Sequence, residues 1–130
     1  MRVLALFLGM AACAGDETIS AFSPAGTVWH LSELDGAAFA ARATVTFPAE
    51  GEVAGEGPCN RFTAAQAVPY PWIEIGPIAA TRRACPDLAA EGAFFAALSA
   101  VSVAEVSGPV LILSGERHEM VFRAASSTGE

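Results

Sequence analysis

Three cysteines, Cys13, Cys59 and Cys85, are the side chains of this sequence with the widest chemistry. A thiol can be acylated, oxidised to a disulfide or recruited by a metal, and spacing separates these fates. Metal fares badly, because two thiolates with only His30 and His118 to help lack any C-x-x-C or H-x-x-x-H spacing. No metal and no cofactor is expected. If Cys13 is committed elsewhere, Cys59 and Cys85 remain as an even pair, which in an oxidising compartment reads as a disulfide; a free buried pair is the alternative. A bridge would close a loop of about 27 residues and contribute roughly 3–4 kcal/mol. Arg61, Arg82 and Arg83 flank the two cysteines and would gather around a bridge as a small positive spot for a carboxylate or phosphate. The competing arrangement pairs them with Glu52, Glu56, Asp87 or Glu91. Asn60, the only Asn in the chain, suits a tight turn after Cys59, where Asn tolerates left-handed φ and bonds its neighbouring backbone.

No reaction emerges from these residues. There is no Ser-His-Asp order with a nucleophile elbow, and no Gly-rich loop opens a helix. Glu50 and Glu52 would share one face of a strand, yet nothing apolar surrounds them to raise a pKa. An enzyme is not expected. The net charge of −7 disfavours nucleic acid and anionic membrane surfaces, which reward the opposite sign.

The first segment reads as an address. Arg2 precedes the apolar run Val3–Leu8, and Gly9-Met10-Ala11-Ala12 supplies small residues where a peptidase must reach the backbone. A Cys directly after them resembles the bacterial lipoprotein signal, with residues 1–12 removed and Cys13 acylated. Ala14 follows, and the Asp that retains such proteins at the inner membrane is absent there. The resemblance therefore implies an outer-membrane lipoprotein facing the periplasm, touching the membrane only through Cys13. Two alternatives are ordinary cleavage after Ala14, giving a soluble periplasmic protein, and a buried N-terminal strand in a cytoplasmic one. Residues 13–26, with Gly15, Ser20, Ser23, Pro24 and Gly26, read as the lipidated Cys and a short tether.

The body must then position the cysteine motifs, and it reads as strands with one helix. Strand candidates are Thr27–Leu34, closed by the turn Asp35-Gly36, then Ala43–Phe47, Glu52–Gly55, Asn60–Ala65 and Trp72–Ile75. Pro86 and Asp87 start a helix whose Leu88, Phe94, Phe95, Leu98 and Val101 fall on one face, with Glu91 elsewhere on the circuit. Ser102–Val106 alternates again, and Val110–Leu113 with His118–Arg123 forms a hairpin. The expectation is a mainly β (α+β) domain: a small antiparallel, barrel-like sheet of seven or eight strands, with one helix before the last three. Trp29 and Trp72 are expected in its core, with anchoring of an interface as the alternative.

Gly57-Pro58-Cys59-Asn60-Arg61-Phe62 and Thr81-Arg82-Arg83-Ala84-Cys85-Pro86 resemble the paired G-x-C-N and T-x-x-A-C signatures of the META domain, the HslJ-like family. Trp29-x-Leu31 and Leu34-Asp35-Gly36 resemble its opening strand and turn, and Ile73-x-Ile75-x-Pro77 the stretch before the second Cys. Glu91, Phe94, Phe95 and Leu98 resemble its helix, and Leu111-x-Leu113 with Phe122 its closing hairpin. The likeness covers residues 27–123 and leaves 124–130 as a tail. Pro58, Arg83, Ala64 and Gln66 depart from the family pattern. The resemblance implies a compact β-domain often borne by envelope lipoproteins, with a link to heat shock or envelope stress and no known reaction.

The functional expectation is a non-enzymatic envelope module with an unidentified protein or envelope partner. An inhibitor-type binding module directed at a basic target such as lysozyme, or at a protease, is the first alternative. A carrier of small apolar ligands is the second, and it requires an open interior.

Overall fold

Alternation of more and less buried residues marks most of the nine strands among the described residues, and turn residues set their limits. The computed structural model describes residues 15–125. The signal segment expected over residues 1–12, Cys13, Ala14 and the tail from 126 onward lie outside the described residues. The strands are β1 (Trp29–Leu34), β2 (Ala37–Ala38), β3 (Thr44–Thr46), β4 (Glu52–Glu56), β5 (Arg61–Ala65) and β6 (Ala79–Ala80). Helix α1 (Leu88–Leu98) then precedes β7 (Val103–Ser107), β8 (Val110–Ser114) and β9 (Glu119–Ala124). All pairings are antiparallel, in the order β6-β5-β4-β3-β1-β9-β8-β7, with β2 folded back on β1. The expected helix before the last three strands is present. The two strands not expected, β2 and β6, are Ala-Ala pairs and carry no alternation. The β1–β2 turn places Asp35 at φ 54° and Gly36 at φ 83°, the left-handed pair that a two-residue hairpin needs.

The sheet does not close, so it is barrel-like only loosely. Trp72–Ile75, expected as a strand, instead crosses the gap between the two sheet edges. Trp72 bridges to Val103 and Ile75 to Gln66. The Ile73 amide donates to Ser102 O at 3.0 Å, and the Ala104 amide to Pro71 O at 2.7 Å. Pro69, Pro71 and Pro77 have no amide to give, which stops this segment from laddering along either neighbour.

Trp29, Leu31, Val45, Val53, Phe62, Leu111, Leu113, Met120 and Phe122 point inward and fill the interior. Helix α1 closes one end, with the Phe94 ring edge-on to Phe62 at 5.8 Å. The helix differs from the expectation in two ways. It begins at Leu88, with Asp87 as N-cap making no side-chain capping bond, and Leu88 itself is exposed. Glu91 is buried on the same stripe as Phe94 and Leu98.

Residues 13–26 do not read as a tether from Asp16 onward. A short 3₁₀ turn, Ile19–Ala21, plugs the other end of the sheet, with Ile19 fully buried. The Trp29 Nε1–H donates to Ser23 Oγ at 2.9 Å, and the Tyr70 amide to Glu17 O at 2.8 Å. Small polar residues suggested a linker, but here their hydroxyls satisfy buried polar groups. The tail likewise begins later than expected, since Ala124 lies in β9 and pairs with Trp29. Ile19→Ala should cost about 2–4 kcal/mol in a urea melt, the range for emptying a packed aliphatic site. A change near zero would restore the tether.

Candidate functional site

The two cysteine motifs meet because β6 returns antiparallel beside β5, pairing Phe62 with Ala80. That register sets Thr81 next to Arg61: the Thr81 amide donates to Arg61 O at 3.1 Å, and the Arg61 amide to Thr81 Oγ1 at 3.2 Å. Four residues after Thr81, Cys85 reaches Cys59, and the pair forms a disulfide with Cα atoms 5.6 Å apart.

Asn60 joins the motifs a second time. Its Oδ1 accepts the Thr81 hydroxyl at 2.9 Å and the Arg83 amide at 2.6 Å. Its Nδ2 donates to Arg83 O at 2.9 Å and to Glu91 Oε2 at 2.7 Å. Both lone pairs and both protons of the side chain are thus used. This structural role differs from the one expected, since Asn60 is not among the residues at positive φ. It works through its side chain, which serves as a strut.

Glu91 is the residue that sequence reasoning missed. Only 4% exposed, its Oε1 accepts the amides of Cys59 and Asn60, both at 2.8 Å, while Oε2 takes Asn60 Nδ2. Burial pushes this carboxyl's pKa up, but the Asn60 side chain and the two amides outweigh it and hold the group below the usual carboxylate range. Its place in the first turn of α1 adds the favourable end of the helix dipole. Gly57 is explained by the same group: a Cβ there would lie 2.6 Å from Glu91 Oε1. The helix-wheel spacing 91, 94, 98 was available as a signal, but a charge is ordinarily assigned to solvent.

Chemically, this arrangement is a lock. A buried carboxylate that accepts from three donors is favoured in its ionised form and is engaged in holding the turn. The other motif residues are also structural in placement: Trp29 and Phe62 are in the core, Gly36 is in the hairpin turn, and Ala84 is exposed between Arg83 and Cys85. His30 and His118 stay apart, and His118 Nδ1 lies 2.9 Å from Asp35 Oδ2. Among the described residues no group of three or more His, Cys, Asp or Glu is arranged to hold a metal. Glu52 lies on β4, whereas Glu50 is in the turn before it, so the two do not share a strand face.

Arg61, Arg82 and Arg83 do come to one corner, all exposed. None forms an ion pair among the described residues, so the expected alternative pairing with Glu52, Glu56, Asp87 or Glu91 does not occur. Glu56 is taken by Arg42 at 3.3 Å, and Glu91 by the lock. Beside them runs a shallow groove of 460 Å³, lined by Gly55, Arg61, Thr63, Ala79, Ala80 and Thr81. Trp72, expected in the core, is 59% exposed.

Glu91→Gln should destabilise the fold by about 2–4 kcal/mol, because the new amide turns a donor towards Asn60 Nδ2 and the charge-assisted bonds are lost. The pH dependence has a fixed sign. A folded-state pKa below the unfolded one gives stability that is complete above the unfolded value and lost as pH falls through the folded one. Wild type should therefore lose more stability than Glu91→Gln between neutral and acid pH in parallel urea titrations. Parallel curves would remove this role. Cys59→Ser should cost roughly 3–4 kcal/mol by loop entropy; a loss under about 1 kcal/mol would show that the bridge contributes little.

A META domain family model matches residues 22–127. Among solved structures, an NMR structure of a protein from Burkholderia xenovorans is similar at TM-score 0.64 and 22% identity, over 95% of this chain and 99% of that one. The crystal structure of a DUF4847 family protein from Bacteroides vulgatus is similar at TM-score 0.62 and 14% identity, over 76% of this chain and 92% of that one. These identities speak to the fold alone. No curated protein matches the chain. The family match spans nearly all of the folded body, including both cysteine motifs and the helix that locks them: the chain belongs to the META domain family.

Proposed function

We propose that this chain is an exported, non-enzymatic lipoprotein of the bacterial envelope, acylated at Cys13, whose META domain serves stress tolerance by binding or by structural support. The Cys59–Cys85 disulfide carries the reading. Such a bridge persists in the periplasm and is rare in the cytosol, and the apolar segment ending at Cys13 supplies the route there. Commitment of Glu91 to the two motifs, and of His118 to Asp35, favours recognition over catalysis.

The recognition face in this reading is the groove beside Arg61, Arg82 and Arg83. Three exposed guanidiniums on a chain of net charge −7 form a local exception to its field, suited to a partner that presents carboxylates or phosphates. The inhibitor alternative uses the opposite feature, the acidic bulk of the surface, and selects a basic target. The carrier alternative is disfavoured by the filled interior, where Trp29, Phe94, Phe122, Leu111 and Leu113 are fully buried.

Intact-mass measurement of the protein extracted from envelope membranes tests the address. The expected N-terminus is an acylated Cys13; an unmodified Gly15 would make the protein soluble and periplasmic, and a retained Met1 would sink export. Capture of partners from solubilised envelope by the immobilised mature protein tests the face. Reversing Arg82 to Glu should weaken a specific capture roughly tenfold, as loss of complementary charge does, and leave the melting transition in place. Capture indifferent to that reversal would move the binding face elsewhere. A sharp 1:1 endpoint in lysozyme inhibition would favour the inhibitor reading.

A further inference from the structure

Phe22 and Trp72 are two exposed large apolar side chains, and they are linked through Tyr70, on which Phe22 stacks and which precedes Trp72 by two residues. Phe22 is 50% and Trp72 59% exposed. The Phe22 ring stacks on Tyr70 with centroids 4.3 Å apart and planes 16° from parallel. Tyr70 is fixed in turn, for its hydroxyl accepts the Val106 amide at 2.8 Å and its own amide donates to Glu17 O at 2.8 Å. Trp72 follows two residues later and is held by its bridge to Val103. These rings therefore stand on rigid backbone and do not sample the surface from a loose loop.

Because the segment from Asp16 is packed against the body, little chain separates it from Cys13. Four residues span at most about 14 Å fully extended, so Cys13 lies within that distance of Glu17, which is bonded to Tyr70. A lipid on Cys13 would hold the Phe22–Tyr70–Trp72 flank at headgroup depth. Trp favours that layer, since its ring is apolar and carries one polar N–H, and Phe22, stacked on the fixed Tyr70 ring, adds apolar surface beside it. Acidic residues nearby, Glu17 and Glu74, give an anionic surface nothing to attract; the contact must be apolar.

We infer that the Phe22–Tyr70–Trp72 flank is a membrane-interface docking surface, which seats the domain on the bilayer beside its anchor. The inference rests on the lipoprotein reading for the proximity of the anchor, but the rings themselves can be tested without it. The chain has two Trp, and Trp29 is fully buried, so water-sensitive emission reports Trp72.

The experiment uses protein extracted from envelope membranes, with its acylation state read by intact mass. It is placed in phosphatidylethanolamine–phosphatidylglycerol vesicles containing lipid brominated near the headgroup. The expected result is a blue-shifted Trp72 emission quenched by bromine, insensitive to added salt and absent from Trp72→Phe. Acylated, vesicle-bound protein whose Trp72 stays water-exposed overturns the docking surface and leaves the lipoprotein reading intact. A blue shift without bromine quenching also overturns it, in favour of a protein covering the flank. If the mass shows no acyl chain, the lipoprotein reading fails on its own, and added vesicles judge the rings. Bromine quenching of the wild-type Trp72, together with vesicle co-sedimentation that Trp72→Ser weakens roughly tenfold, the ratio that burying one aromatic ring supplies, then supports docking; no quenching overturns it.

Discussion

A buried carboxylate is tolerated only where donors replace the water it has lost. Glu91 meets that condition with three nitrogens, all from the Cys59-Asn60 turn, and the rest of this end of the molecule follows from it. The turn must present two consecutive amides to one oxygen, so it cannot relax into a longer loop. Gly57 must lack a Cβ because the carboxylate fills that space. Asn60 must be an amide, because the same side chain donates to Glu91 and accepts from Thr81 and Arg83. The disulfide then adds a covalent link across motifs that are already hydrogen-bonded. Helix and sheet are joined here by a polar contact, whereas Phe62, Phe94 and Phe95 join them by packing alone.

An open sheet leaves two edges to manage, and the molecule treats them with one segment. The outward amides of β7 at Ala104 and Val106 are taken by Pro71 O and the Tyr70 hydroxyl. Further along, Gly76 donates to the carbonyl of Ala65, the last residue of β5. Residues 70–76 thus span the gap without joining either ladder, and three prolines enforce that. The opposite end of the sheet is filled by Thr18 and Ile19, where the Thr18 hydroxyl sits within 3.4 Å of both Gly51 N and Gln66 Nε2. Helix at one end and N-terminal segment at the other account for a filled interior in a domain whose sheet does not close.

Strand pattern was the most legible part of the sequence, because β-formers run between turn signals there, with Val45, Leu111, Leu113, Met120 and Phe122 buried between less buried neighbours. The Ala-Ala strands β2 and β6 were not legible; their pairing is imposed by β1 and β5, and alanine carries no face. Glu91 was misplaced by a rule that is right for charges on average and fails where a turn supplies donors. Ser23, Thr18 and Gln66 were unreadable for the same reason, since a polar residue in sequence does not announce whether its partner is water or a buried indole. Trp72 failed in the other direction. Its size argued for the core, but Pro71 and the edge contacts of its backbone hold the ring outside. The two cysteine motifs were legible as signatures, yet their meaning was not, for they encode the lock and say nothing of a ligand.

That division bears on where function can lie. Gly57, Cys59, Asn60, Phe62, Thr81 and Cys85 are consumed by the fold, so a family signature built from them reports architecture and is silent on partners. What remains exposed and chemically distinctive is the corner with Arg61, Arg82 and Arg83, and the flank with Phe22 and Trp72. Hydrogen bonds tie Tyr70 to Glu17 and Thr18 to Gly51, just before the β4 start, whereas register sets Arg61 opposite Glu56 at the β4 end. The five residues of β4 separate these levels by roughly 15 Å at the usual rise per residue. A lipid on Cys13 would sit on the Thr18 side, which turns the arginine corner away from the membrane. In the proposed reading one face would hold the domain in place while the other stays open to solvent, and the Glu91–Asn60 lock fixes the backbone at Asn60 and Arg83 that carries this corner.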